Sequence, residues 1–265
     1  MTYVSLSPFD LAAAAALILV NGALSWGFRL ALERSLAVAA VRMVVQLGAI
    51  GFVLKFVFEQ SSALLTAALA VVMILAAGYE VLARQEKRLR GWAAYGLGTG
   101  TLFLAGTIAS IYSMTVIIGS EPWYAPRYLL PILGMVLGNA LTGVALVLNT
   151  IAETATRERS AIEARLALGA GRLEALSDVL RRGLKTGLIP TVNSMAAAGI
   201  VALPGMMSGQ VLAGLDPVEA AKYQIMIMFL ISGATALAAV LAALGGVWLL
   251  TDARHRLCLD SIDYP

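Results

Sequence analysis

The chain has 265 residues, of which 60% are hydrophobic and 13% are charged. This composition leaves no room for a water-soluble domain beside a set of long apolar segments. The net charge of +3 could suggest a nucleic-acid partner, but the basic residues fall in alternate loops and form no single face, so we expect no nucleic-acid binding. The single cysteine, Cys258, excludes an intrachain disulfide and a multi-cysteine metal site.

Seven apolar segments follow one another along the chain. Six contain no charged residue, and the second is interrupted only by Arg42 and Lys55. An α-helix needs about 20 apolar residues to cross a bilayer, and it satisfies its own backbone there. The sequence therefore predicts an all-α polytopic membrane protein, a single transmembrane domain over 1–265, with seven transmembrane helices in the ranges 11–28, 38–58, 60–79, 91–120, 128–152, 186–215 and 223–251.

The distribution of basic residues predicts the orientation of these helices. With the amino terminus outside, the inner segments are 29–37, 80–90, 153–185 and 252–265, and they hold every basic residue except Arg42, Lys55, Arg127 and Lys222. Short loops rich in Lys and Arg stay in the cytoplasm, so we expect the amino terminus outside and the carboxyl terminus inside. The first ten residues contain no Lys or Arg, so we expect the first apolar segment to remain as a span rather than serve as a signal peptide.

Local signals predict two helix starts and two close helix contacts. Ser7 and Asp216 are N-cap residues, each followed by a proline at the first helical position and an acidic residue two positions further on. Small residues four apart allow helices to approach closely, which predicts contacts at Gly96/Gly100 and Gly134/Gly138.

The charged segment 153–185 is the longest polar part of the chain. Apolar residues recur in it at helical spacings, and the Gly169-Ala170-Gly171 triplet predicts two short helices joined by a bend. Three interpretations remain open: an amphipathic helix in the membrane interface, a plain connector, or a helix that docks on a soluble partner.

Several motifs resemble one family. Glu163, Ala164 and Gly169 are similar to the Glu-Ala-Ala-xxx-Gly coupling helix of ABC-transporter permeases, although Arg165 stands where alanine is usual. The stretch from 203 to 214 (LPGMMSGQVLAG), the later Tyr223-Gln224 pair, and Arg42 with Gln46 closely resemble FetB-type ABC permeases, a family linked to iron export and metal resistance with plant relatives in aluminium tolerance. The likeness covers essentially the full length.

This resemblance implies a homodimeric permease in the inner membrane of a bacterium, surrounded by lipid and driven by a separate ATP-binding subunit. The chain itself has no P-loop motif, so we expect a transport subunit without enzymatic activity or a cofactor. The segment 153–185 would be the cytoplasmic coupling segment, with Glu163, Ala164 and Gly169 in contact with the ATPase. Alternatively, Glu163 completes a capping box with Ser160.

Arg42 is the cation that lies inside an apolar segment, and Gln46 follows one helical turn later on the same face. A charge at the bilayer centre is costly, although a long side chain reduces the cost by reaching the interface. The pair therefore predicts either a place in the translocation pathway or a structural contact between helices.

Residues 205–214 are too apolar for an ordinary exposed loop. We expect the Pro204-Gly205 step to end the sixth helix, and Gly205 and Gly209 to permit a turn. Irregular backbone at membrane depth must be buried or line a cavity. The segment therefore predicts a re-entrant gate, with a compact external loop as the alternative, and the gate candidates are Pro204, Gly205, Met206, Met207, Gly209, Gln210, Tyr223 and Gln224.

Metal ligands cannot be assigned from these motifs. Met206, Met207, Met226 and Met228 carry soft thioethers, which suit Cu(I) better than iron, and methionines in helices are usually packing residues. The rival functions are a secondary transporter powered by an ion gradient and a non-transporting membrane scaffold or assembly protein. The lack of acidic residues inside the apolar segments weighs against the first.

Overall fold

The computed structural model describes residues 7–85, 88–89, 91–252, 256–259 and 262–263. Lys87, Arg90 and Arg254, which were counted above among the inner basic residues, lie outside these ranges. The described chain is helical apart from two short strands, β1 (Arg88–Leu89) and β2 (Ile262–Asp263), which pair antiparallel. The all-α prediction is confirmed.

Ten α-helices follow in chain order within the described residues. A π-helical turn, Ser113–Ile117, continues the fourth helix. The helices are α1 Pro8–Gly27, α2 Glu33–Gln60, α3 Ala63–Ala83, α4 Trp92–Tyr112, α5 Pro126–Arg157, α6 Arg159–Ala167, α7 Arg172–Ala175, α8 Ser177–Ala197, α9 Gly205–Leu212 and α10 Pro217–Leu249.

Six helices of the described chain are long and apolar enough to cross a membrane: α1, α2, α3, α4 with its π turn, α5 and α10. The protein is therefore a multi-pass membrane protein. The sixth predicted segment, 186–215, does not form one long helix, because α8 ends at Ala197 and a turn follows. The first half of α8 is also charged, with Asp178, Arg181, Arg182 and Lys185. The count of seven spans and the orientation of the termini stay predictions.

The contacts divide the chain into two units. The first contains α1 and α2, which pack on each other, together with residues 212–214. The second contains the other helices. A single permease domain over both units stays a prediction.

The second unit is built around α5, which packs against α3, α4, α8 and α10. Leu133, Leu137, Val144, Leu148 and Ile151 of α5 are all less than 4% exposed. The outward faces of the surrounding helices are apolar, as expected where lipid is the solvent.

Glycines on α5 and α8 bring these two helices into close contact. A methyl group placed on Gly187 would meet the carbonyl oxygen of Gly143 at 2.7 Å and would also collide with Val147. A methyl on Gly183 would meet Ile151 Cγ1 at 2.8 Å.

The glycine pairs predicted from spacing alone are mostly not at such contacts. A methyl group on Gly96, Gly100 or Gly138 would have no neighbour within 4 Å, and only Gly134 faces another helix, through Met73. Spacing places two small residues on one face of a helix, but the packing decides whether that face meets another helix.

The glycine contacts also give the helix directions. Along α8 the contacts move from Ile151 to Gly143 as the number rises from Gly183 to Gly187, so α8 runs antiparallel to α5. Between α5 and α10, Gly143 faces Thr235 and Leu148 faces Gly246, so these two helices run parallel.

Both predicted helix starts are confirmed. The Ser7 hydroxyl accepts a hydrogen bond from the Asp10 amide, while the Ser7 amide donates to the Asp10 carboxylate at 2.8 Å, which is a capping box. The Asp216 carboxylate accepts from the amides of Val218 and Glu219 at 2.9 and 3.2 Å and so caps α10.

Candidate functional site

A helical hairpin, residues 158–176, joins α5 to α8. It consists of α6, a turn and α7, and the turn contains Gly169 at φ +95°, a conformation that favours glycine. The Gly169 amide donates to the Leu166 carbonyl and the Ala170 amide donates to the Arg165 carbonyl, both at 3.1 Å. The predicted bend at Gly169 is confirmed.

The apolar face of the hairpin packs on the core of the second unit. Ile162 of α6 is 3% exposed, and Ala175 and Leu176 are 1% and 0% exposed within the same buried cluster as Ile151. These side chains are therefore not available to lipid or to a partner. The large apolar side chain left at the turn is Leu168, which is 89% exposed beside Gly169.

Two ion pairs join the hairpin to α8. Arg165 donates to the Asp178 carboxylate at 2.9 Å, and Arg182 pairs with Glu158 across the base of the hairpin. Glu163 accepts from Arg159 at 2.8 Å on the surface of α6. The alternative capping box with Ser160 is wrong, because α6 begins at Arg159 and has no side-chain cap.

A cavity of about 660 Å³ lies at the turn of the hairpin. It brings the predicted Gly169 together with the Arg165–Asp178 ion pair and with Glu174, whereas Glu163 and Ala164 lie on α6 outside it. The lining residues are Arg165, Leu168, Gly169, Ala170, Glu174, Ser177 and Asp178.

The chain turns after α8 at Gly199, not at the predicted Pro204-Gly205 step. Gly199 has φ +91°, its amide donates to the Ala202 carbonyl at 2.9 Å, and the Ala202 amide donates back to Ala197 at 3.0 Å. Pro204 instead precedes a helix, and its carbonyl accepts the first bond of that helix, from the Ser208 amide at 3.0 Å. The prediction that Pro204 ends the sixth helix is wrong.

Residues 205–212 form helix α9 rather than a turn. Gly205 and Gly209 therefore have helical backbones, and the prediction that they permit the turn is wrong. The glycine that reverses the chain is Gly214, at φ +96°, and the Leu215 amide donates to the Gln210 carbonyl at 3.0 Å as in a Schellman motif.

A second cavity, of about 520 Å³, lies between the end of α8, the turn, α9 and α10. Four of its wall residues, Ala221, Gln224, Ile225 and Met228, stand at positions i, i+3, i+4 and i+7 and so share one face of α10. The other lining residues are Met195, Ala198, Gly199, Leu203, Pro204, Met207 and Phe229. We call this the α8–α10 cavity.

Gln224 is the polar side chain on the wall of the α8–α10 cavity. It is 7% exposed, and its amide oxygen has no hydrogen-bond partner among the described residues. The amide oxygen of Gln210 on α9 is also buried without a described partner, although Gln210 does not line the cavity. A buried, unpaired polar atom is rare in proteins and often marks a place for water or an ion.

The structure brings three of the predicted gate residues, Pro204, Met207 and Gln224, to one cavity. The other gate candidates do not line it: Gly205, Met206, Gly209, Gln210 and Tyr223. Arg42 and Gln46 lie on α2 in the first unit, both exposed and one turn apart as predicted.

Sequence reasoning missed Met195, Ile225 and Phe229 as cavity residues. The 3–4 spacing along α10 could have indicated Ala221 and Met228 once Gln224 was chosen. Nothing in the sequence pairs Met195 with Met228, because their proximity depends on how α8 packs on α10.

Comparison with known proteins gives consistent full-length matches. The model of an uncharacterised protein family, UPF0014, matches residues 8–248. The chain is 33% identical over 254 residues to the "Probable iron export permease protein FetB" of Escherichia coli, with 96% of this chain and 95% of that protein covered.

Other relatives come from photosynthetic organisms. The chain is 39% identical over 198 residues to the UPF0014 membrane protein slr1647 of Synechocystis sp., covering 73% of this chain and 74% of that protein. It is 32% identical over 229 residues to the protein ALUMINUM SENSITIVE 3 of Arabidopsis thaliana, covering 86% and 82%. No solved structure matches the chain.

Proposed function

The chain belongs to the UPF0014 family, and from this premise we propose that it is the membrane-spanning subunit of an ATP-driven exporter. Its resemblance to FetB-type proteins, drawn above from sequence motifs, is confirmed by the full-length matches. In this proposal a separate subunit hydrolyses ATP, and the chain provides the route across the membrane. The relative from Escherichia coli, named a probable iron export permease, supports a metal or a metal-linked solute as the cargo.

The observation that carries the proposal is the shape of the 158–176 hairpin. Its apolar face is folded onto the core, yet its turn exposes Leu168 beside the left-handed Gly169. In this proposal Leu168, which is 89% exposed on a well-packed turn, is the apolar anchor for the partner. The neighbouring cavity, with its charged rim, would accept part of the ATP-binding subunit.

The hairpin is connected to the bundle in a way that suits the transfer of force. Ile162 and Leu176 share one buried cluster with Ile151 of α5 and Val247 of α10. Pressure on the turn would therefore move α5, α8 and α10 as packed bodies, because protein interiors are close-packed and transmit strain.

Helix directions support a seventh crossing of the membrane. Because α5 and α10 are parallel candidate spans, the chain has to return to its starting side between them, and α8 runs in the required direction. The apolar half of α8, residues 186–197, is only about 18 Å long, against a hydrocarbon core of about 30 Å. We propose that the 198–204 turn and α9 complete the crossing at membrane depth, with the amino terminus outside and the hairpin in the cytoplasm.

The α8–α10 cavity is the proposed part of the translocation pathway. It is lined by the turn and by α9, the elements that we propose move during transport. Arg42 and Gln46, on α2 of the first unit, are proposed as pathway residues on the sequence argument alone. A homodimer in the inner membrane is the proposed assembly.

Co-purification with the ATP-binding subunit tests this proposal. We expect the partner to be retained by the wild type and lost with Leu168→Asp, because the new carboxylate would be buried without a partner in the interface. Val218→Asp is the control, since Val218 is also apolar and 63% exposed but lies at the start of α10. If Leu168→Asp retains the partner, or if Val218→Asp loses it equally, the hairpin turn is not part of the interface.

A further inference from the structure

We propose that the α8–α10 cavity binds a soft monovalent cation, Cu(I) or its analogue Ag(I), through the thioethers of Met195, Met207 and Met228. This proposal rests on the proposed function, because it names the chemical class of cargo that the pathway would accept. Three different elements supply the sulfur atoms: α8, α9 and α10.

The local excess of methionine is the first observation. Five of the ten methionines lie within residues 195–228: Met195, Met206, Met207, Met226 and Met228. Sequence spacing left open which of them could meet. The structure selects three. Met206 lines neither cavity of α10, and Met226 lines a separate, adjoining groove between α4 and α10, which shares Ile225 and Phe229 with the α8–α10 cavity.

The three methionines do not behave as packing residues. Met114, a packing methionine of the same unit, is 0% exposed. Met195 is 37% exposed, and Met207 and Met228 are half-buried on the wall of an open space of about 520 Å³. Methionines that only filled space would leave no such cavity between them.

Gln224 provides a second, independent observation. Its side chain lies on the same wall, is more than nine-tenths buried, and has an amide oxygen without a hydrogen-bond partner among the described residues. Burial of an unpaired amide oxygen costs free energy unless a ligand satisfies it. A cation in the cavity would supply that partner.

The donor set selects the class of cation. Thioethers are neutral, soft ligands that suit Cu(I), whereas Fe(II), Mn(II) and Mg(II) prefer carboxylate, imidazole or water. The lining residues include no Asp, Glu, His or Cys, and the described chain has no cluster of three or more such residues. A divalent ion would therefore lose its hydration there without compensation by charge, whereas a monovalent ion loses less.

Silver binding to the full chain in lipid nanodiscs tests the site, because Ag(I) has the ligand preference of Cu(I) without its redox chemistry. The experiment uses a Cys258→Ser background, since the thiol of Cys258, which is in no disulfide, would bind silver itself. We expect calorimetry to detect one Ag(I) in the cavity, and a large excess of Mn(II) or Fe(II) to leave it bound. Before any methionine is substituted, the sulfur scattering in the silver X-ray absorption spectrum should correspond to three thioether ligands.

Leucine substitutions locate the bound ion. Met207→Leu and Met228→Leu conserve volume, so the fold should persist, and each should weaken Ag(I) binding at least tenfold. Met226→Leu is the matched control, from the same helix as Met228 but the separate groove, and should bind as the parent does. Equal affinity in all variants, equal loss in the control, or a spectrum without sulfur neighbours would overturn the proposal.

The outcome can be separated from that of the proposed function. If silver binding depends on Met207 and Met228 but the chain never associates with an ATPase, the proposal of an ATP-driven exporter is wrong and the proposal of the metal site stands. If transport depends on ATP but silver does not bind in this way, the proposal of the metal site is wrong and the proposal of the exporter stands.

Discussion

The guanidinium carbon of Arg172 lies 3.9 Å from the centroid of the Trp248 ring. Arg172 is the first residue of α7 in the hairpin, and Trp248 is in the last turn of α10. A cation–π contact at a partly exposed site contributes about 0.5–1 kcal/mol. The pair is therefore a direct contact between the hairpin and α10, the helix that forms one wall of the α8–α10 cavity.

Loss of the Arg172–Trp248 contact should partly uncouple ATP hydrolysis from transport. We expect Arg172→Ala to leave the ATP-binding partner attached but to reduce the amount of cargo moved per ATP by a factor of two to five. The measurement compares transport and phosphate release in the same proteoliposomes. Trp248→Phe retains an aromatic face and should move more cargo per ATP than Trp248→Ala. The same ratio of cargo moved to ATP hydrolysed in all variants would show that the pair has no part in coupling.

The contact between Gly143 and Gly187 should tolerate no side chain. Gly187→Val would force a branched side chain against the Gly143 carbonyl and Val147, and overpacking of this kind costs about 1–3 kcal/mol. We expect a lower midpoint of thermal unfolding in detergent. Gly138→Val on α5 is the control, because a methyl on Gly138 meets nothing within 4 Å, and an equal drop in both variants would contradict the packing.

Arg42 should be required for transport rather than for folding. Arg42 is exposed on α2, where most of the surface is apolar, and ionisable residues within membrane helices commonly mark substrate or ion pathways. We expect Arg42→Ala to lower transport at least tenfold at equal surface expression, with Lys55→Ala, on the same helix, near the wild type. Unchanged transport in Arg42→Ala would remove Arg42 from the pathway and favour the structural alternative.

The turn after α8 should be shielded from water if it lies at membrane depth. Ile200 is 96% exposed in the isolated chain. In a Cys258→Ser background, we expect Ile200→Cys to react at least tenfold more slowly with an impermeant maleimide than Val218→Cys. Equal reaction rates would favour the compact external loop instead of a re-entrant segment.

Features that depend on a few neighbouring residues were predictable from the sequence. The caps at Ser7 and Asp216 follow from side chains that reach amides two or three residues away. The bend at Gly169 follows from a local need for positive φ. The apolar segments predicted six of the membrane helices because lipid imposes both length and composition.

Features that depend on how helices pack were not predictable. Pro204 was expected to end a helix, but a proline also fits the start of one, and only the hydrogen bonds of the 197–208 region decide between them. The α8–α10 cavity joins Met195 to Met228 through the contact of α8 with α10. Single-sequence spacing contains no information about that contact.

Transport by purified protein in liposomes tests the central claim most directly. The chain alone, the chain with its ATP-binding subunit, and the complex of that subunit with Leu168→Asp are compared for cargo movement with and without ATP. We predict transport only by the wild-type complex, only with ATP, and with a strong loss in the Leu168→Asp sample. Full transport by the chain alone, driven by an ion gradient, would contradict the account.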